Sequence, residues 1–447
     1  MNSSNIVIRN AQIINEGKIF SSDVWIKNNK IFKINPIIET GPENVFEIDA
    51  TGLFLIPGLI DDQVHFREPG LTYKGDIFSE SRAAISGGIT SFMEMPNTVP
   101  NALSQDLLSQ KFEIASEKSL ANYSFYMGVS NDNFEEVIKT DLNTRPGIKI
   151  FLGSSTGNML VDRTTQLEKI FSCCPQLIAV HCEDETLICE NLKLAIEKFG
   201  KDIPPYYHPV IRNEETCYKS SSYAVALAKK YQSRLHVLHI STEKELSLFD
   251  FNTELKNKRI TAEACIHHLW FCDEDYEVLG NLIKWNPSIK TSNDRAAIQR
   301  AVINGQIDVI ATDHSPHTLV EKEKPYLECP SGGPLVQHSL VTLLELFHKG
   351  IFSLEEIVKK TSHQVAECFR VDSRGYIREG YFADLCLFSL NDPWRVEPEN
   401  ILYKCGWSPF MGKTFQSKVY YTLVNGNLVY AGGLIHDHHL GRELRFI

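Results

Sequence analysis

No long apolar run occurs in the 447 residues. None approaches the roughly 20 consecutive apolar residues of a helical membrane span, so no membrane partner is expected. Runs of positive charge are also missing. Lys and Arg nowhere exceed a pair, and the formal net charge is −11, which argues against nucleic acid and anionic lipid as partners. The opening Met1-Asn2-Ser3-Ser4-Asn5 has no basic stretch followed by an apolar one, so no secretory leader is read from it. The 11 cysteines form no CxxC pair and no framework spacing. They argue against a disulfide scaffold and for reduced thiols in a cytoplasmic protein, with Cys173-Cys174 a helix-end pair rather than a redox pair. What remains is ordinary for a globular chain: 43% hydrophobic and 23% charged residues, enough for a large core. The acidic balance does not exclude an acidic small-molecule substrate, because a single Arg can bind a carboxylate locally.

Short strands dominate both ends. Ile6–Ile14 is followed by a turn at Asn15-Glu16-Gly17, and Val24–Lys27 and Ile31–Ile34 flank Asn28-Asn29-Lys30, a hairpin signal. Similar strands return at Ala383–Phe388, Val419–Val424 and Asn427–Tyr430. Neither stretch suffices for its own core, so residues 1–57 and 375–447 are expected to form one small β domain together. Between them the cadence changes to strand then helix. Eight apolar strand-like runs appear, the first at Leu59-Ile60-Asp61 and the rest ending at Met95, Met127, Phe151, His181, His239, Glu263 and Asp313. Helix-patterned segments such as Asn213–Lys230, Asp294–Ile303 and Leu335–His348 lie between them. Alternation of eight strands with helices predicts an α/β fold, a TIM-type (β/α)8 barrel over residues 58–374, with its chemistry at the C-terminal strand ends.

The polar residues of interest fall at those ends. His65 follows the first barrel strand, Lys149 lies at the end of the fourth, His181 the fifth, His239 the sixth and Asp313 the eighth. A lone strand-end His is more often a hydrogen-bonded core residue than a ligand. Three imidazoles and a carboxylate converging on one barrel mouth suit Zn²⁺ or a similar divalent ion, with a position open for water. Bound water then has a pKa near 7 and is a nucleophile at neutral pH. Lys149 has two readings. Either it is a structural lysine reaching toward solvent, or its amine is carbamylated by CO2 and becomes an anionic ligand.

Nine segments in register resemble the dihydroorotases. They are Pro57-Gly58-Leu59-Ile60-Asp61, His65-x-Arg67-Glu68-Pro69-Gly70, Met95-Pro96-Asn97-Thr98, Gly147-Ile148-Lys149-Ile150-Phe151, His181-Cys182-Glu183-Asp184, His239-Ile240-Ser241-Thr242, His267-His268-Leu269, Asn286-Pro287 and Ala311-Thr312-Asp313-His314-Ser315-Pro316-His317. The late Trp407-Ser408-Pro409-Phe410-x-Gly412 is similar too, and the likeness runs from about residue 50 to about 430. The resemblance implies a zinc enzyme that opens or closes the ring of dihydroorotate in pyrimidine synthesis, with carbamylated Lys149 between two metals. One metal is then held by the carbamate, His181 and His239, and the other by the carbamate, His65 and Asp313. Asp313 also shuttles the proton. By the same resemblance Arg67 and Asn97 clamp the substrate carboxylate, His317 adds a donor to it, and Asn286 contacts the ring.

One position departs from that pattern. The resemblance implies His-x-His at the end of the first barrel strand, and here the earlier of the two is Gln63. An amide oxygen is a poorer ligand for Zn²⁺ than imidazole. One tightly held zinc is therefore expected, with the second site weakened. A dihydropyrimidinase or allantoinase activity is the neighbouring alternative, and a metal-poor, inactive barrel kept as an assembly partner is the distant one. A homodimer is left open. His267-His268 read as packing groups, His208 and Arg212 as braces of the barrel mouth, and His436, His438 and His439 as a solvated tail. Gly332-Gly333-Pro334 reads either as a loop near the ligand or as a turn.

Overall fold

A computed structural model describes residues 5–39, 45–153, 159–161 and 163–447; residues 1–4, on which the leader reading partly rests, lie outside them. All eight expected barrel strands form. They are Leu59–Val64, Ile89–Glu94, Asn122–Phe125 continued by Met127–Gly128, Ile148–Phe151, Ile178–His181, Leu235–Val237, Ile260–Cys265 and Val309–Ala311. Neighbours pair in parallel throughout. A bridge between Val64 and His314, with the His65 N–H donating to the His314 carbonyl at 2.7 Å, closes the eighth strand onto the first. Every residue of the first five strands is buried, as expected where a parallel sheet is covered on both faces.

The intervening helices start where side-chain oxygens satisfy their first free N–H groups. Asp76 caps Ile77–Ser86, Ser104 caps Gln105–Lys118, Asn213 caps Glu214–Tyr231 and Thr291 caps Ser292–Asn304. No helix among the described residues is long and apolar enough to cross a membrane.

Both chain ends share one sheet. Asn5–Asn15, Lys18–Lys27 and Lys30–Asn35 form its first part, and Leu385–Ser389, Lys418–Val424, Asn427–Ala431 and Leu434–Ile435 its second. The strand Phe54–Pro57 joins the two parts. It runs parallel to Asn5–Asn15 and antiparallel to Leu385–Ser389. Ile6, Ile8, Ile13, Val24, Leu385 and Leu387 fill a core of its own. A buried polar knot ties this sheet to the barrel. Asp384 pairs with Arg374, accepts the Asn425 N–H at 2.7 Å, and accepts from Asn122 of the third barrel strand at 3.1 Å. One irregularity matters for the site: pairing of the first and second barrel strands shifts register between Asp61 and Val64.

Candidate functional site

His65, Lys149, His181, His239 and Asp313 line one cavity at the C-terminal mouth of the barrel, together with Arg67, Asn97, Asn286 and His317. Its volume is about 290 Å³, near the small end of the ~300–1,000 Å³ typical of small-molecule sites. The backbone is strained where these residues leave the strands. Arg67, His239 and Asp313 have φ of 69°, 40° and 48°, a region that costs a non-glycine residue roughly 1–3 kcal/mol and that clusters at functional sites.

On one side, Asp313 Oδ1 lies 3.1 Å from His65 Nε2 and accepts from Gln63 Nε2 at 3.2 Å. The other ring nitrogen, His65 Nδ1, donates to Asn97 Oδ1 at 2.7 Å. That bond holds the tautomer whose Nε2 lone pair faces the cavity, the usual way a ligating imidazole is oriented. Asn97 therefore has a task beyond the expected carboxylate contact. On the other side, His181 Nδ1 and His239 Nε2 are 3.0 Å apart, and His181 Nε2 lies 3.1 Å from Glu183 Oε2. Glu183 also pairs with Arg212. Burial would raise the Glu183 carboxyl, but Arg212 and His181 hold it down at about 2.

Between the two sides sits Lys149, 1% exposed, with no hydrogen bond or ion pair to another described residue. Burial lowers its ammonium from 10.5 to about 8. Burial likewise pushes His65 and His239 down, keeping them neutral, the form that binds metal. Two tetrahedral ligands at about 2.0–2.1 Å from zinc stand about 3.3 Å apart, near the observed His181–His239 separation. Neutral imidazoles, a carboxylate and an unpaired buried amine thus fit a divalent cation.

The opposite wall is cationic. Arg67 donates from Nε to the Pro316 carbonyl at 3.0 Å and from Nη2 to Ser315 Oγ at 2.6 Å. Its Nη1 makes no bond to a described residue, and although burial lowers the guanidinium to about 10 it stays charged at neutral pH. His317 lies beside it, with Lys74 Nζ donating to Nδ1 at 2.9 Å. Its Nε2 stands 3.0 Å from the Ser331 carbonyl and 2.9 Å from Arg67 Nη2, so a cationic donor faces each ring nitrogen. Asn286, on a cis bond to Pro287, leaves its Oδ1 buried without a partner among the described residues. Gly332, at φ 127°, lines the cavity, and a Cβ there would meet the Ser315 carbonyl at 2.5 Å. Of the residues outside the cavity, His208 bridges Tyr326 Oη and the Trp285 carbonyl at 2.7 Å each. His267 stacks on Trp285.

Sequence reasoning assigned no role to Lys74 or Ser315, and it passed over a second group. Asp62, His236 and Glu263 bring ligand atoms within 4.8 Å of one another. In the sequence Glu263 marks only the end of a strand. The alternation rule gives no reason for Asp62 to face the interior beside Gln63.

A family model described as the amidohydrolase family matches residues 54–429. A dihydroorotase of Methanosphaera stadtmanae is 30% identical over 440 residues, covering 95% of this chain and 96% of that protein. One of Lactobacillus acidophilus is 29% identical over 431 residues, covering 96% and 99%. Among solved structures, an L-hydantoinase (dihydropyrimidinase) from Arthrobacter aurescens superposes with a TM-score of 0.92 at 25% identity, over 99% of both chains. A dihydropyrimidinase from Brevibacillus agri gives 0.87 at 24% identity over 98% of both, a likeness of fold.

Proposed function

Since this chain belongs to the amidohydrolase family and is a hydrolase acting on a cyclic amide, we propose that its substrate is dihydroorotate. It opens the ring amide of the S isomer to N-carbamoyl-L-aspartate and closes it in reverse. The observation that supports this reading is the cationic wall. Arg67, whose Nη1 has no partner among the described residues, and His317 stand on the same cavity as His65, Lys149, His181, His239 and Asp313. A cyclic amide bearing a carboxylate uses both walls at once; one without it leaves Arg67 buried and unmatched.

In this reading His181, His239 and the Lys149 carbamate hold one divalent ion, and His65, Asp313 and the carbamate a weaker second. When bound, such an ion polarises the amide carbonyl and acidifies water. The carbamate forms when the neutral Lys149 amine attacks CO2, making an N–C bond and releasing a proton. Asp313 Oδ2, free of partners among the described residues, takes the proton from the attacking water. It delivers that proton to the departing amide nitrogen. Arg67 fixes the carboxylate with charge-assisted bonds, and Asn97 holds His65 in its ligating tautomer.

Hydrolysis of dihydropyrimidines or hydantoins is the second reading, favoured by the likeness to the Arthrobacter hydantoinase. The test compares kcat/KM for dihydroorotate and dihydrouracil, which differ by the carboxylate alone. Loss of a charge-assisted pair of about 1.5–3 kcal/mol predicts a preference of ten- to over a hundredfold for dihydroorotate. Equal turnover of both overturns the first reading. Arg67→Met is expected to raise KM for dihydroorotate by the same factor while leaving metal content unchanged. Parent-like binding by that variant means the carboxylate sits elsewhere.

Gln63 donates its amide N–H to Asp313 and receives a long contact of 3.7 Å from the Cys265 thiol. It thus offers Asp313 a hydrogen bond where an imidazole would offer the ion a lone pair. About one tightly held metal is expected in the cavity, and Gln63→His should raise the cavity's content toward two. Two full equivalents in the cavity of the parent after dialysis against a weak chelator, counted above any metal that a strong chelator leaves in the folded protein, would show that the amide suffices.

A further inference from the structure

Below the floor of the cavity, the first, sixth and seventh barrel strands bring together Asp62, His236 and Glu263, each 0% exposed. His236 Nε2 lies 3.3 Å from Asp62 Oδ2 and 3.6 Å from Glu263 Oε2. Its ring orientation is set from behind. The Thr261 hydroxyl donates to the Leu235 carbonyl at 3.3 Å and stands 2.7 Å from His236 Nδ1. Nδ1 therefore carries the proton that Thr261 Oγ1 accepts, and Nε2 is turned toward the carboxylates.

That arrangement is incomplete as protein alone. Neither oxygen of Asp62, nor Glu263 Oε2, nor His236 Nε2 has a hydrogen-bond partner among the described residues. A neutral imidazole would aim its lone pair at two anions. An imidazolium, the form the adjacent carboxylates favour, would leave a net charge of −1 with both carboxylates ionised, or none with the proton kept on Glu263, whose carboxyl burial pushes up to about 8; in either state its Nε2–H is aligned with neither oxygen. Buried polar groups without partners are rare, and each calls for a physical explanation. Buried charge is normally paired or bound to metal.

We propose that Asp62, His236 and Glu263 hold a structural divalent cation, a site separate from the cavity and independent of the substrate assigned above. Two carboxylates and a neutral imidazole balance a charge of +2. Separations of 3.3 and 3.6 Å suit ligands placed about 2.0–2.2 Å from zinc. The three side chains are sealed from solvent, so the ion enters as the barrel closes and has no part in turnover. It has a mechanical consequence for the cavity above. The other oxygen of Glu263, Oε1, accepts the His239 backbone N–H at 2.9 Å and the Cys265 thiol at 3.2 Å. Anchoring Glu263 thus braces the strained backbone that presents His239.

The test uses zinc as the probe. Protein produced with zinc is dialysed in its native state against a strong chelator, then unfolded in guanidinium while released zinc is read with a colorimetric indicator. His181→Asn, which weakens ion binding in the cavity, should still release one equivalent on unfolding and none before. Adding Asp62→Asn should lower that release by at least about tenfold. Folded His181→Asn protein that releases no zinc overturns the proposal, the carboxylates then being neutralised by protons. Undiminished release after Asp62→Asn overturns it too, since the ion lies elsewhere. If Asp62→Asn does not fold, zinc-edge anomalous scattering from parent crystals decides. A peak between the three side chains supports the site, and its absence there refutes it.

Discussion

Asp313→Asn is expected to lower kcat for dihydroorotate by at least about a hundredfold, the low end of what positioned acid–base groups contribute, with the fold intact by circular dichroism. The carboxylate stands at the end of the eighth barrel strand, 5% exposed. Its Oδ1 faces His65 Nε2 and accepts from Gln63. An amide of the same shape fills the space but cannot carry a proton from water to the leaving nitrogen. It is also a weaker ligand, so metal content should fall on the His65 side more than on the His181 side. KM should move little, because the carboxylate of the substrate is bound across the cavity by Arg67. Turnover within tenfold of the parent would remove Asp313 from the proton path and shift attention to His65 or bulk water.

Lys149→Met should cost still more. Methionine is a flexible, unbranched side chain close in length to lysine, but it offers neither an amine nor, after carbamylation, an anion. Metal on both sides should drop together with turnover. With metal chemistry supplying several kcal/mol of transition-state stabilisation, the loss should exceed about a hundredfold at 1.36 kcal/mol per decade. Protein labelled with ¹³C-bicarbonate should show a carbamate carbon in the parent and none in the variant.

The same residue supplies a pH test in metal-stripped protein. CO2 reacts only with the neutral amine, and burial lowers the Lys149 ammonium to about 8. At pH 7 roughly a tenth of the amine is therefore neutral, against about one part in several thousand for an unperturbed lysine. At fixed dissolved CO2, reactivation by added zinc should speed up nearly tenfold per pH unit below 8 and level off above it. A rate that keeps rising to pH 10 would mean an ordinary, solvated lysine. Parent-like metal and turnover in Lys149→Met would mean that the lysine is structural.

The barrel was legible in the sequence because buried parallel strands are written as short continuous apolar runs, and most runs here end at or within two residues of a polar one. That cadence sent His65, Lys149, His181, His239 and Asp313 to one mouth, since a closed parallel barrel puts every C-terminal strand end on the same face. The joining of the two chain ends was legible for a different reason: neither could bury its own apolar face. What pairs with what across the site was not legible. That Asn97 orients His65, that Gln63 donates to Asp313, and that Lys74 donates to His317 depend on side chains separated by 32, 250 and 243 positions. No local pattern encodes such distances. The group of Asp62, His236 and Glu263 was hidden by a local rule failing. Period-two alternation sends neighbours Asp62 and Gln63 to opposite faces, but the register shift between Asp61 and Val64 lets both reach the interior at different depths. The sequence by itself determined which elements form and which ends meet, because period and burial are local. The tertiary structure alone decided ring tautomers, hydrogen-bond partners and the buried carboxylate pair, because these follow from where a twisted, bulged barrel places distant side chains.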